Sequence, residues 1–356
     1  MRAMVLTGHG GLDKYEWHED WPVPEPDPDQ VLIRVAACGL NNTDVNTRTG
    51  WYAREVREAT SGEGYGEIES GTWGGSGISF PRIQGADVCG RVVAVGANVD
   101  PALIGKRVIT DNWLRDWSDP LNREKARYFG SEADGGFAEY TVIDHRNVGV
   151  VDCDLSDAEL ATFSCSYTTA EGMLSRAGVG RGERVLITGA SGGVGSALIQ
   201  LAGRRGAITI ALASPAKHAQ VAELKPAHIL DRAPADLAAA LHGATGHDRV
   251  DVVADIVGGP YFATLLDQLV RGGRYVTSGA IAGPIVELDL RTLYLNDLQM
   301  HGSTVVEPHI FRDLVSYIER GEIRPVLAAT YPLEKLREAQ TAFIEKKHTG
   351  NIVVVP

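Results

Sequence analysis

This sequence predicts an α/β chain whose second half is a doubly wound parallel sheet, and three observations carry the prediction. Arg184 to Ala213, RVLITGASGGVGSALIQLAGRRGAITIALA, reads as a strand, a glycine turn, a helix and a second strand. Beyond it, short β-branched runs keep alternating with helical patterns, the rhythm of a parallel sheet covered by helices on both faces. Ahead of it, residues 1–155 are mostly strand-like, with period-2 alternation and long polar connections.

The glycine turn is the most informative stretch. Val185 to Thr188 is an apolar, β-branched run leading straight into Gly189-Ala190-Ser191-Gly192-Gly193-Val194-Gly195. Ser196 to Arg205 is the expected helix, closed by Gly206, and Ile208 to Ala213 the next strand. Gly189 allows the tight turn, Gly192 lets a pyrophosphate approach the backbone, and Gly195 lets helix and strand pack closely. The helix start then offers N–H groups and the positive end of its dipole to the phosphates. With the strand before and the helix after that the motif requires, the stretch is read as a dinucleotide-binding unit. An NAD site places an acidic residue at the end of the second strand, on the adenosine ribose. No acid occurs from Ile208 up to Glu223; Ser214, Lys217 and His218 stand there instead. A hydroxyl and a cation suit a 2′-phosphate, so the expected cofactor is NADP(H).

At 356 residues the chain is long enough for two domains with sizeable cores. A net charge of −12 argues against nucleic acid or an anionic membrane as partner, and a small-molecule substrate fits better. The four cysteines, Cys38, Cys89, Cys153 and Cys165, have no CxxC spacing, so neither a disulfide framework nor a cysteine-rich zinc module is indicated. A cytoplasmic location is expected. The opening MRAMVLTGHGG has no signal-peptide core, and no apolar run reaches about 18 residues, so no membrane span is expected.

In chain order, Met1 to Leu6 and Gln30 to Ala37 are strands joined by a stiff loop through Pro22, Pro24, Pro26 and Pro28. Cys38 to Tyr52 is a polar loop leading into a short helix. Residues 53–79, rich in Gly, Glu and Ser, are a mobile insertion or a lid. RVVAVG and IGKRVIT are strands, residues 111–134 form a second long, aromatic and charged excursion, and GGFAEYTVI returns to strand. Ser156 with Glu159 is a capping box opening a helix over 158–177, and the domain boundary falls there. HILD, RVDVVADIVGG, GGRYVTSGA and LQMHGST are then strands, with helices over 234–241 and 261–269 between them. The elements from 305 to 356 break this rhythm and are expected to complete the first domain, giving domains of 1–155 with 305–356, and 156–304.

The order of these pieces resembles the medium-chain dehydrogenase/reductase superfamily over nearly the whole chain. Its landmarks are Gly39-Leu40-Asn41-Asn42-Thr43-Asp44, GADVCGRVVAVG, GGFAEY, SYTTAEGML, GASGGVG and TGNIVVV. The resemblance implies a GroES-like β domain, a Rossmann domain and an active-site cleft between them. Zinc alcohol dehydrogenases of the superfamily carry a ligand Cys where this chain has Asn41 and a ligand His where it has Ala86; only Cys165 matches a catalytic ligand. One thiolate cannot hold a catalytic zinc, which takes three protein ligands. Residues 91–135, where the four-cysteine structural-zinc loop would fall, contain no cysteine. A metal-free member is expected, with Cys165 a small buried residue.

The loop from Asn41 to Asp44, followed by Arg48, Gly50 and Tyr52, looks like the zinc-free quinone oxidoreductase branch and also like the enoyl-thioester reductases. Without a metal the reaction relies on hydride proximity and on donors near the developing oxyanion, which favours quinones, activated ketones and α,β-unsaturated carbonyls. The resemblance then casts Asn41 as a donor to substrate or nicotinamide ribose. Tyr52 is a proton donor, an orienting group or simple wall packing; Thr43 is a wall hydroxyl or a loop hydrogen bond. Asp44 caps the helix after the loop, and Arg48 pairs with it or with another carboxylate. Thr169 approaches the nicotinamide carboxamide or packs its helix. Ser278 and Gly279 border the nicotinamide, and Ser303 and Thr304 end the next strand. A dimer or tetramer is expected, since the Rossmann edge strand in this superfamily usually pairs between subunits. Three alternatives stay open: an enoyl-thioester reductase, a zinc-dependent alcohol dehydrogenase with ligands elsewhere, and an NADPH-binding sensor or structural protein with little turnover.

Overall fold

The computed structural model describes residues 1–65 and 78–356. Within the expected insertion over 53–79, residues 66–77 lie outside the described residues. The chain divides into two compact units, Met1–Val56 with Ser61–Cys165 and Glu307–Pro356, and Arg57–Thr60 with Ser166–Val306.

The first unit opens with β1 (Ala3–Leu6), β2 (Tyr15–His18), β3 (Gln30–Gly39), α1 (Asn42–Thr49), β4 (Arg82–Ile83) and β5 (Asp87–Val95). There follow β6 (Arg107–Thr110), β7 (Trp113–Leu114), β8 (Arg127–Tyr128), β9 (Tyr140–Asp144), β10 (Val148–Val150) and α2 (Asp157–Leu160). Helix α3 (Ser164–Arg176) runs into the second unit, which continues with β11 (Arg184–Ile187), α4 (Gly193–Arg204), β12 (Ile208–Ala213), α5 (His218–Ala222), β13 (His228–Asp231) and α6 (Leu237–Thr245). Its remaining elements are β14 (Val250–Asp255), α7 (Phe262–Asp267), β15 (Leu269–Thr277), α8 (Leu290–Leu295) and β16 (Gln299–Gly302). The chain then returns to the first unit with α9 (Pro308–Glu319), β17 (Leu327–Pro332), α10 (Leu336–Ile344) and β18 (Asn351–Val355).

In the first unit a seven-stranded sheet has the order β10-β6-β5-β3-β18-β17, with β9 also on β3. The C-terminal strand is thus built into the N-terminal sheet, β18 pairing antiparallel with the end of β3. Alternation places Val31, Ile33 and Val35 of β3 on one face, where they meet Val88 and Val92 of β5, Ile352 and Val354 of β18, and Leu336 and Phe343 of α10. In the second unit six parallel strands have the order β13-β12-β11-β14-β15-β16. The order reverses between β11 and β14, the point where ligands bind outside the carboxyl ends of an open sheet. Leu186, Ile210, Val253, Phe262 and Leu265 pack the core there. Among the described residues no helix is long and apolar enough to cross a membrane.

The structure corrects several local expectations. The helix read over 158–177 is two, because Ala161 leaves helical geometry (ψ 5°) and its carbonyl runs against β3: a Cβ on Gly39 would lie 2.2 Å from Ala161 O. The capping box stands, Glu159 N meeting Ser156 Oγ at 3.3 Å and Ser156 N meeting Glu159 Oε2 at 2.8 Å. Helix α1 starts at Asn42, so the expected loop forms its first turn. Helix α4 starts at Gly193 rather than Ser196, taking two of the motif's glycines into its first turn. Helix α8 was not foreseen; Leu290, Tyr294 and Leu295 are exposed and only Leu293 packs on the core, which leaves no amphipathic signature.

A Cβ on Gly195 would lie 2.2 Å from Gly189 O and 2.7 Å from Ala190 Cα. Gly195→Ala is therefore expected to cost about 1–3 kcal/mol in urea unfolding and to weaken dinucleotide binding in titration, whereas Gly203→Ala, with open space around it, should stabilise or be neutral.

Candidate active site

At the end of β3 the chain turns through Asn41, the N-cap of α1, in extended geometry (φ −133°, ψ 164°). Asn41 N donates to Asp44 Oδ2 at 2.7 Å, so Asp44, the third helical residue, caps from inside the first turn rather than from ahead of it. Gly85 N also donates to Asp44, at 3.3 Å. Burial raises the Asp44 carboxyl to about 7. Arg48, fully buried, departs from the expected carboxylate pairing: it donates to Gln340 Oε1 at 3.1 Å and to the carbonyls of Gly10 and Gly62 at 2.6 and 3.1 Å.

Asn41 belongs to a cluster that the sequence did not disclose. Its Nδ2 donates to Asp87 Oδ2 at 3.0 Å; Asn112 Nδ2 and Cys165 N donate to Asp87 Oδ1 at 2.9 and 2.8 Å. Burial raises Asp87 to about 6, held down in part by these donors. Tyr128 Oη donates to Cys165 Sγ at 3.2 Å, and Cys165 is half-buried rather than buried. Thr43 and Tyr52 come together separately: the half-buried Tyr52 hydroxyl is hydrogen-bonded to the side chains of Asn46 and Thr43, and burial pushes its pKa up. The donor set does not suit a catalytic zinc, which takes Cys, His or carboxylate ligands. Asn41 and Ala86 are not such ligands, both Asp87 oxygens are engaged, and the described residues contain no group of three or more His, Cys, Asp or Glu able to hold a metal.

In the second unit, Gly189 turns at φ +57° and α4 begins after Gly192 with no side-chain cap. Its first-turn N–H groups have no intrahelical acceptor, and a Cβ on Gly192 would meet only Gly189 O, at 3.5 Å. That open, donor-rich cradle, formed by Gly189, Ala190, Ser191, Gly192, Gly193, Val194 and Gly195, fits a dinucleotide pyrophosphate. The turn is braced by Asp255 at the end of β14, another residue the sequence reading passed over. Asp255 accepts from Thr188 Oγ1 and Tyr275 Oη, each at 2.5 Å, and from Val257 N at 2.9 Å. An acid closing the largely apolar strand VDVVAD was the available signal.

Ser278 and Gly279 follow β15, and a Cβ on Gly279 would sit 3.2 Å from Ile256 O, just past β14. Ser303 and Thr304 follow β16. Ser303 is buried, its Oγ without a partner among the described residues and 3.3 Å from a Cβ built on Gly172, so it faces α3, which also carries the half-exposed Thr169. Ser214 and Lys217 sit beyond the end of β12, with Lys217 N donating to Ser214 O at 2.9 Å. The structure adds an acid here that a search along β12 misses: Asp231 of β13 stands opposite Ala213, its carboxylate 3.6 Å from His218 Nε2.

Residues 27–152 match the alcohol dehydrogenase GroES-like domain family, and 224–354 the zinc-binding dehydrogenase family. A protein from Sinorhizobium meliloti 1021 classed as an alcohol dehydrogenase has 48% identity and a TM-score of 0.91, the match covering 100% of this chain and 96% of that one. The chain belongs to the medium-chain dehydrogenase/reductase superfamily. Other superfamily members resemble it end to end. A quinone oxidoreductase from Lama guanicoe is 28% identical over 100% of this chain and 97% of its own length. An acryloyl-coenzyme A reductase from Sulfurisphaera tokodaii is 27% identical over 100% of both. The protein is thus an oxidoreductase of this superfamily, which works on small molecules with a nicotinamide cofactor.

The raised Asp44 and Asp87 carboxyls make a stability prediction. Each binds its proton more tightly folded than unfolded, so the folded state carries more protons between about pH 4 and pH 7 and loses stability as pH rises through that window. Relative to Asp87→Asn, the wild type is expected to lose roughly 3 kcal/mol of unfolding free energy from pH 4 to pH 7.5. Urea titrations of both proteins across that range measure it, and a parallel pair of curves would contradict the assignment.

Proposed function

We propose that the protein is a zinc-independent, NADPH-dependent reductase that passes hydride directly to a quinone, an activated carbonyl or an α,β-unsaturated carbonyl. The observation that carries this reading is the Asp87 cluster, where amide hydrogens of Asn41 and Asn112 occupy the carboxylate and, among the described residues, no set of metal ligands converges. A wall of hydrogen-bond donors polarises an acceptor less than a Lewis acid does, so acceptors that are already electrophilic suit it best.

When bound, the reduced nicotinamide supplies the hydride. In this reading the first turn of α4 binds the pyrophosphate, Ser214 and Lys217 hold the adenosine end, and Thr169, Ser278, Gly279, Ser303 and Thr304 border the nicotinamide. Asn41, whose amide keeps a second hydrogen beyond the one given to Asp87, and Thr43 orient the acceptor oxygen. Tyr52, kept protonated by burial and held by Thr43 and Asn46, delivers the proton. An enoyl-thioester reductase is the second reading, favoured by the same tyrosine and by the acryloyl-coenzyme A reductase relative. Asp231 beside His218 favours NAD as the competing cofactor. None of the four cysteines forms a disulfide, which suits a cytoplasmic enzyme.

The test is cofactor oxidation by the purified protein in excess EDTA, with NADPH and NADH compared against an ortho-quinone and an enoyl thioester. Turnover that survives EDTA and favours NADPH is expected, with Tyr52→Phe lowering kcat about 10²-fold or more. Loss of activity in EDTA restored by zinc would establish an alcohol dehydrogenase, and cofactor binding without turnover a sensor.

The protein is also proposed to dimerise through the second unit. Strand β16 is an edge of its sheet and exposes Met300, and α8 exposes Leu290, Tyr294 and Leu295. Sedimentation equilibrium should give twice the chain mass, reduced to one by Met300→Asp with Leu295→Asp.

A further inference from the structure

The excursion over 111–134 has no role in the proposed reaction, yet its base is tied down by an ion pair, side-chain hydrogen bonds and a short ladder. Asp111 and Arg115 form a buried ion pair at 2.6 Å, and Asn147 Nδ2 donates to the carbonyls of Asp111 and Trp113 at 3.0 and 2.8 Å. Strands β7 and β8 pair with Trp113 opposite Tyr128, their rings edge to face at 5.0 Å, and Phe129 N donates to Asn112 O at 2.9 Å.

This short ladder closes the excursion like a clasp and brings Asn112 and Tyr128 to one point. Asn112 Nδ2 reaches both Asp87 Oδ1 at 2.9 Å and Tyr128 Oη at 3.2 Å, and Tyr128 Oη in turn donates to Cys165 Sγ at 3.2 Å. Both residues are buried, Asn112 2% and Tyr128 4% exposed. Asn112 Oδ1 is buried without a donor among the described residues, the one acceptor this cluster leaves open. A network with its donors engaged holds a single geometry, and removing one member frees the others to rotate.

We propose that Asn112 and Tyr128 are positioning residues for hydride transfer: by locking Asp87 and Cys165 they aim the Asn41 amide, so the excursion is a working part of the acceptor wall. This rests on the reductase reading. A positioning role sets the orientation of the acceptor, and orientation decides which face of a prochiral carbon receives hydride.

The experiment compares wild type, Tyr128→Phe and Asn112→Ala with NADPH and an enone whose reduced product is chiral, reading kcat, both KM values and product enantiomeric excess, with thermal unfolding as a check on folding. Tyr128→Phe, which removes one hydroxyl, is expected to melt with the wild type, lower kcat about tenfold, leave KM for NADPH within about twofold and erode the enantiomeric excess. Asn112→Ala, which also releases Asp87, should do more; if it fails to fold, Tyr128→Phe decides alone. Wild-type kcat and enantiomeric excess in a folded Tyr128→Phe would overturn the inference and leave the reductase reading standing. A wild type that reduces no acceptor would remove that reading, and the inference with it.

Discussion

A buried carboxylate that collects three donors is the constraint on which the first unit's site depends. Asp87 has no exposed surface, and an ionisable group so placed persists only where hydrogen bonds replace the water it has lost. Its partners come from three separate stretches: Asn41 from the turn after β3, Asn112 from the base of the 111–134 excursion, and Cys165 N from the start of α3. Moving any one of them strands polar groups on the others. The site's geometry is therefore set cooperatively, by loops that share one acceptor.

The second unit uses the same device at the carboxyl ends of its strands. Asp255 ties Thr188 at the end of β11 to Tyr275 on β15 and to the backbone beyond β14, across the place where the strand order reverses. The start of α4 above this brace can then keep its first-turn amides without intrahelical acceptors and the turn does not collapse onto them. A rigid floor and an open, donor-rich rim are what binding a pyrophosphate requires.

Local signals found most of the fold because they act over a few residues. The alternation in β3, the apolar runs of β11, β12 and β14 and the Ser156–Glu159 capping box each reflect a contact that is short-range or repeats with the period of its element. The misreadings arose where a distant element intervened. Ala161 leaves the helix because β3 passes against it at Gly39, and Arg48 donates to the carbonyls of Gly10 and Gly62 and to Gln340, 292 residues away, rather than to a carboxylate nearby in sequence.

The residues by themselves determined the superfamily, the strand–turn–helix unit and the absence of zinc-ligand residue types at Asn41 and Ala86, because glycine spacing and side-chain chemistry are properties of the chain. Only the tertiary structure decided what stands beside Asn41, that Asn112 and Tyr128 meet there, and that Asp231 lies opposite the end of β12. Those are hydrogen bonds and registers between segments 16 to 78 residues apart, and a periodicity read within one segment carries no information about which other segment folds against it.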